Sequence, residues 1–155
     1  MTTIALGKPV PGFTLPATGG KSIGLADLRG RPLVLYFYPK DDTPGCTSEG
    51  CGFRDHHQAF RKLGAVILGV SRDPMSSHEK FKAKYEFPFD LLSDADEDLC
   101  RLFGVMREKN MYGKKVMGVE RSTFLIDGKG VLRQEWRKVK VEGHVEAVLA
   151  AVKAL

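Results

Sequence analysis

Apolar residues come in runs whose spacing changes along the chain, and the changes mark its elements. Leu33-Val34-Leu35-Tyr36-Phe37-Tyr38 is an unbroken apolar and aromatic run ended by Pro39. A run of that length without polar alternation predicts a strand buried on both faces. Val66-Ile67-Leu68-Gly69-Val70 reads the same way, and Phe89 to Leu92 is short and strand-like. From about Pro44 to Leu63 the apolar positions Phe53, Phe60 and Leu63 are spaced for one helix. Ser76 or Ser77 is positioned to cap a second helix bearing Phe81 and Tyr85. Asp94 to Phe103 predicts a third, with Leu99, Leu102 and Phe103 inward, and Val145, Val148, Leu149 and Val152 a last one. Two hairpins are marked by glycine-rich turns. Phe13-Thr14-Leu15 and Ile23 flank Gly19-Gly20, and Thr123–Ile126 and Val131–Trp136 flank Asp127-Gly128-Lys129-Gly130.

Strands that alternate with helices imply βαβ units, here followed by a hairpin and a helix. There is no repeat, linker or low-complexity tract, so one α/β domain over residues 1–155 is expected. Hydrophobic residues make up 43% and charged residues 28%, the balance of a folded soluble chain. The longest apolar stretch falls far short of the ~20 residues that span a bilayer. Residues 1–12 lack the basic patch and apolar run of a signal peptide, and a cytoplasmic protein without membrane contact is expected.

The net charge of +5 raises the question of nucleic acid. The densest basic cluster is Arg133, Arg137, Lys138 and Lys140, with Trp136 as its sole aromatic. It reads as a solvated face, and no nucleic-acid partner is expected.

Three cysteines, Cys46, Cys51 and Cys100, are an odd number for a disulfide framework. In a reducing compartment a close pair points to chemistry or metal rather than a permanent staple. Cys46 and Cys51 lie in Pro39-Lys40-Asp41-Asp42-Thr43-Pro44-Gly45-Cys46-Thr47-Ser48-Glu49-Gly50-Cys51, between a buried strand and a helix. Thr43 suits the N-cap and Pro44 the first helical position. Cys46 is then third in the helix, where the Thr43 hydroxyl is expected to accept from its N–H. Unpaired amides and the positive end of the helix dipole favour a thiolate there. The thiolate is the form that attacks peroxide to give sulfenic acid. Asp41 and Asp42 oppose this if they face the sulfur, so a cation from elsewhere is needed.

Cys51 is the natural partner of that sulfenic acid, yet an intact helix keeps the two apart. Cα atoms five residues apart in a helix are roughly 8–9 Å distant, whereas a disulfide tolerates about 4.4–6.8 Å. The first turns must unwind when the bond forms. Gly45, Gly50 and Gly52 ease this, each weakening a helix by up to ~1 kcal/mol.

Other residues read more plainly. Cys100, beside Leu99 and Leu102, is expected to be structural. Glu49 is either a first-turn acid on the helix dipole or part of the active-site hydrogen bonding. His56 and His57 follow the cysteines, but one helix does not fold these donors into a tetrahedron, so no metal site is expected. His78 and His144 are isolated and carry no signal.

Residues 39–54 resemble the peroxiredoxins, whose active-site loop reads Pro-x-x-x-Thr-x-x-Cys, met here by Pro39, Thr43 and Cys46. The closer similarity is to the bacterioferritin-comigratory-protein or PrxQ subfamily, with a second cysteine five residues on. It extends through Leu28-Arg29-Gly30, Phe53-Arg54-Asp55, Leu91-Leu92-Ser93-Asp94, Phe103-Gly104-Val105 and Arg121-Ser122-Thr123-Phe124-Leu125-Ile126-Asp127.

The resemblance implies a thioredoxin-like fold: a central mixed β-sheet flanked by helices, with an N-terminal β-hairpin. It implies reduction of hydrogen peroxide and organic hydroperoxides by Cys46, with Cys51 resolving and thioredoxin or a similar dithiol recycling. No metal or organic cofactor enters such a cycle. Arg121 becomes the missing cation, Thr43 a hydrogen-bond partner of thiolate or peroxide, and Pro39 the shield of the sulfur. A monomer or weak dimer is implied. Gly50, where relatives often carry Ala, and Met106, where some carry an aromatic, depart from the pattern. A dithiol–disulfide oxidoreductase is the first alternative, though it would usually show Cys-x-x-Cys. A redox sensor is the second.

Overall fold

A computed structural model describes residues 4–155. The N-terminal hairpin pairs β1 (Thr14–Ala17) with β2 (Lys21–Gly24), its turn carrying Gly19 and Gly20 at positive φ. β3 (Leu33–Phe37) is buried along its whole length, as its unbroken apolar run demands. After a bend at Pro39 the chain enters α1 (Pro44–Asp55) and then α2 (His57–Lys62).

The single helix expected over 44–63 is therefore two. The break is at His56, where φ is −101° and ψ 4°. Its backbone N–H and its ring Nδ1 both reach the Gly52 carbonyl, at 3.2 and 2.9 Å.

β4 (Val66–Ser71) runs parallel to β3 and to β5 (Asp90–Ser93), which begins one residue later than expected. Between them lies α3 (Met75–Tyr85). Its N-cap is Pro74 rather than a serine; Ser77 instead donates its hydroxyl to Asp41, at 2.8 Å. α4 is also shorter than expected, Asp98–Leu102. Residues 94–97 form a turn in which the Asp94 carboxylate accepts from the Leu99 and Cys100 amides, at 3.1 and 2.7 Å.

β6 (Met106–Met111) and β7 (Lys114–Val119) form a separate two-stranded ribbon. It escapes the hydrophobic pattern because most of its positions are exposed. β8 (Ser122–Ile126) and β9 (Leu132–Trp136) are the hairpin marked by Asp127-Gly128-Lys129-Gly130, and α5 (His144–Lys153) closes the chain.

Among the described residues, seven strands make one mixed sheet in the order β2-β1-β5-β4-β3-β8-β9. The fold is thioredoxin-like, with the expected mixed sheet, flanking helices and N-terminal hairpin. Successive β3 residues face opposite cores. Leu33, Leu35 and Phe37 join Phe103, Phe124 and Ile126 on one side. Val34, Tyr36 and Tyr38 join Phe53, Phe60, Phe81 and Cys46 on the other. The sulfur thus belongs to the core layer between sheet and α1. Among the described residues no helix is long and apolar enough to cross a membrane.

Candidate active site

Cys46 stands third in α1 and is 2% exposed. Thr43 is the N-cap and Pro44 the first helical residue, as the sequence predicts. The cap bond itself is not made: the Thr43 hydroxyl donates to the Lys40 carbonyl at 2.8 Å. A nearby backbone acceptor outcompetes the helix terminus, a familiar alternative for a threonine side chain. Pro39 is half-buried in the bend between β3 and α1.

The needed cation is Arg121, from the residue just before β8. Its Nη2 donates to Cys46 Sγ at 3.3 Å and its Nη1 to Glu49 Oε1 at 2.7 Å. Glu49 lies one turn after Cys46 on the same helix face and is fully buried. Of its two sequence readings, the hydrogen-bonding one holds. Burial outweighs Arg121 and holds its carboxyl up to about 7. Its second oxygen, Oε2, makes no hydrogen bond. Gly45 lets this pair sit close, since a Cβ there would approach Arg121 Nη2 to 3.1 Å and press on the guanidinium.

His144 extends the network. Its Nε2 lies 2.8 Å from Thr123 Oγ1 and 3.9 Å from Glu49 Oε2. Burial, reinforced by Arg121, lowers its pKa to about 4. His78, equally silent in the sequence, is fully buried under the active-site loop. Its Nδ1 lies 2.7 Å from Asp41 Oδ2 and its Nε2 2.8 Å from the Leu92 carbonyl. Tyr38 and Ser77 also donate to Asp41, at 2.6 and 2.8 Å. Asp41 is therefore committed to this network. Asp42, the other acid of concern, pairs with Lys84 and Tyr85 at the surface. Asp41, Asp73 and His78 are close enough to share an ion, but each is already hydrogen-bonded and no cysteine joins them.

Cys51 is half-buried on the unbroken helix α1, so both thiols are free and the segment is wound. Gly50, between them, is filled from outside: a Cβ there would meet Phe87 Cζ at 2.5 Å. Cys100 is buried, and burial with the Asp94 carboxylate beside it pushes its thiol far up. Met106 is buried in the core at the base of the ribbon. Arg137 does not belong to a solvated face. It donates to the Gly104 and Phe103 carbonyls and lies 5.1 Å over the Phe124 ring.

A buried thiol at a helix start, held by a guanidinium, is an arrangement suited to thiolate chemistry, and similarity to known proteins identifies the family. Residues 6–135 match the AhpC/TSA family model. Peroxiredoxin Bcp of Xanthomonas campestris is 56% identical over 156 residues, covering 99% of this chain and 98% of that one. A solved structure of the Xanthomonas campestris bacterioferritin comigratory protein, described with its alkyl peroxide reduction activity, superposes with a TM-score of 0.88 at 56% identity. It covers 92% of this chain and 90% of that one. A cysteine-to-serine variant of Xylella fastidiosa PrxQ gives a TM-score of 0.93 at 43% identity over 99% and 98% of the two chains. The chain belongs to the AhpC/TSA family. Within it, the chain is a peroxiredoxin of the Bcp/PrxQ type, an enzyme that reduces peroxides.

Proposed function

We propose that Cys46 is the peroxidatic sulfur, that Cys51 resolves it, and that a dithiol protein such as thioredoxin completes the cycle. The observation that carries this reading is the 3.3 Å bond from Arg121 to Cys46 at the first turn of α1. The Cys46 thiolate attacks the terminal oxygen of a hydroperoxide. The O–O bond breaks, the sulfur is oxidised to sulfenic acid, and the departing alkoxide or hydroxide takes a proton from solvent. Arg121 stabilises charge on both the attacking and the departing atoms. The Thr43 hydroxyl donates its hydrogen bond to the Lys40 carbonyl, so its oxygen has a lone pair left to accept the O–H of an incoming peroxide. Pro39 shields the sulfur.

The Cys51 thiol then displaces water from the sulfenic sulfur, forming the disulfide. That step requires the first turns of α1 to unwind, because a wound helix holds the two Cα atoms too far apart. An external dithiol reduces the bond by exchange. Hydrogen peroxide and alkyl hydroperoxides are the substrates, the latter by analogy with the Xanthomonas protein. The chain acts as one domain, over residues 1–155, in the cytoplasm.

Stopped-flow peroxide consumption on wild type, Cys46→Ser and Cys51→Ser tests the assignment. Cys46→Ser should be inactive. Cys51→Ser should consume one equivalent of peroxide and then stall. Full activity in Cys46→Ser overturns the reading. Mass spectrometry of wild type after stoichiometric peroxide should find a bridge between residues 46 and 51.

A further inference from the structure

The β6–β7 ribbon carries side chains that its own folding does not reward. It pairs with no other strand and turns through Tyr112 and Gly113, whose φ angles are 53° and 80°. Positive φ at both central positions is the type I′ hairpin turn, which favours Asn-Gly or Gly-Gly. A tyrosine is costly at the first of these positions. Its ring is 100% exposed, so no packing offsets the strain. Around it Met111, Val116 and Met117 are 52%, 39% and 50% exposed. Tyrosine and methionine are the types enriched where proteins meet.

The ribbon is also basic. Arg107, Lys109, Lys114 and Lys115 outnumber Glu108 within it and Glu120 just after it, which pair with Lys115 at 3.6 Å and Arg107 at 3.8 Å. It adjoins the redox centre: β7 leads through Glu120 directly into Arg121. Lys109 donates to the Val119 carbonyl at 2.7 Å, two residues before Arg121.

We propose that this ribbon is the docking surface for the protein that recycles the enzyme, an acidic dithiol protein that packs apolar surface on Tyr112 and its neighbours while its thiols reach the Cys46–Cys51 bond. The inference rests on the disulfide cycle proposed above. Charge selects this occupant over a second copy of the chain. Two copies, each with net charge +5, would bring like charge to a basic ribbon.

The test uses the full chain with Tyr112→Ser/Met117→Ser and with Lys114→Glu/Lys115→Glu, at residues exposed and outside the catalytic site. Single-turnover oxidation by peroxide and reduction by dithiothreitol should match wild type in both. Recycling by thioredoxin should lose about tenfold in kcat/KM in the first variant, as when an interface anchor is truncated. The second should be slowed most at low salt, the gap closing as salt rises. Thioredoxin recycling equal to wild type in both variants overturns the docking proposal alone. Wild type that dithiothreitol reduces but thioredoxin does not would overturn the assigned reductant and, with it, the docking surface. A dimer lost in the first variant, with recycling intact, would make the ribbon a self-association surface and overturn the proposal as well.

Discussion

Arg121 bridges Cys46 and Glu49, donating to the sulfur at 3.3 Å and to the carboxylate at 2.7 Å. One planar group thus serves two partners that face the same side of α1. A guanidinium does this because its N–H groups are fixed as a fork, which an ammonium lacks.

Arg121→Lys should therefore lower the second-order rate constant with peroxide by about 100-fold, the usual loss of one charge-stabilising donor. Stopped-flow oxidation of Cys46 measures it, with circular dichroism to check that the fold is kept. A rate within a few-fold of wild type would mean that the guanidinium does not act on the reacting atoms.

Stability should depend on pH through Glu49 and His144, in opposite senses. Burial holds Glu49 up to about 7, against 4.5 for the free side chain. The folded chain then binds this proton more tightly than the unfolded one. Stability falls as pH rises from about 4.5 to 7, and a cost on the order of 3 kcal/mol is fully present above that. His144 is lowered to about 4 from 6.5, so its loss appears as pH falls through that interval. In Glu49→Gln the alkaline-side loss should vanish and the acid-side loss should remain. Urea midpoints collected across both intervals decide it; profiles of identical shape in wild type and variant would refute the assignment.

Gly50→Ala should destabilise the reduced protein although alanine is the better helix former. The new methyl would stand 2.5 Å from Phe87 Cζ, and overpacking of that kind costs about 1–3 kcal/mol. Adding Phe87→Leu should restore much of the loss. Thermal unfolding of the single and double variants reads this directly.

Amide exchange across residues 44–54 should be slow in the reduced protein and fast after one equivalent of peroxide. The reduced helix is unbroken from Pro44 to Asp55. Equal protection in both states would eliminate the unwinding step.

The sequence disclosed whatever depended on local chemistry or on burial of a whole run. β3 and β4 were legible because both faces are buried, and the two hairpins because glycine permits their turns. Cys46 was placed third in its helix by Thr43 and Pro44 alone. The ribbon was hidden because exposed strands need no apolar period. Contacts between distant residues left no trace in spacing: Asp41 and His78 are 37 positions apart, Cys46 and Arg121 75. Arg121 emerged only through family resemblance, and His144 not at all. The Thr43 cap was misjudged because the Lys40 carbonyl, brought close by the loop, competes for its hydroxyl.

The buried Asp41 cluster gives the loop before α1 a fixed point. Tyr38, Ser77 and His78 all converge on that one carboxylate, anchoring the loop to the end of β3 and to α3 just upstream of the first turns of α1. In the cycle proposed above, each turnover would dismantle the first turns of the helix while this cluster holds the loop before them. Resetting the enzyme would then amount to zipping a few turns back onto an anchored loop, rather than rebuilding a pocket from loose chain.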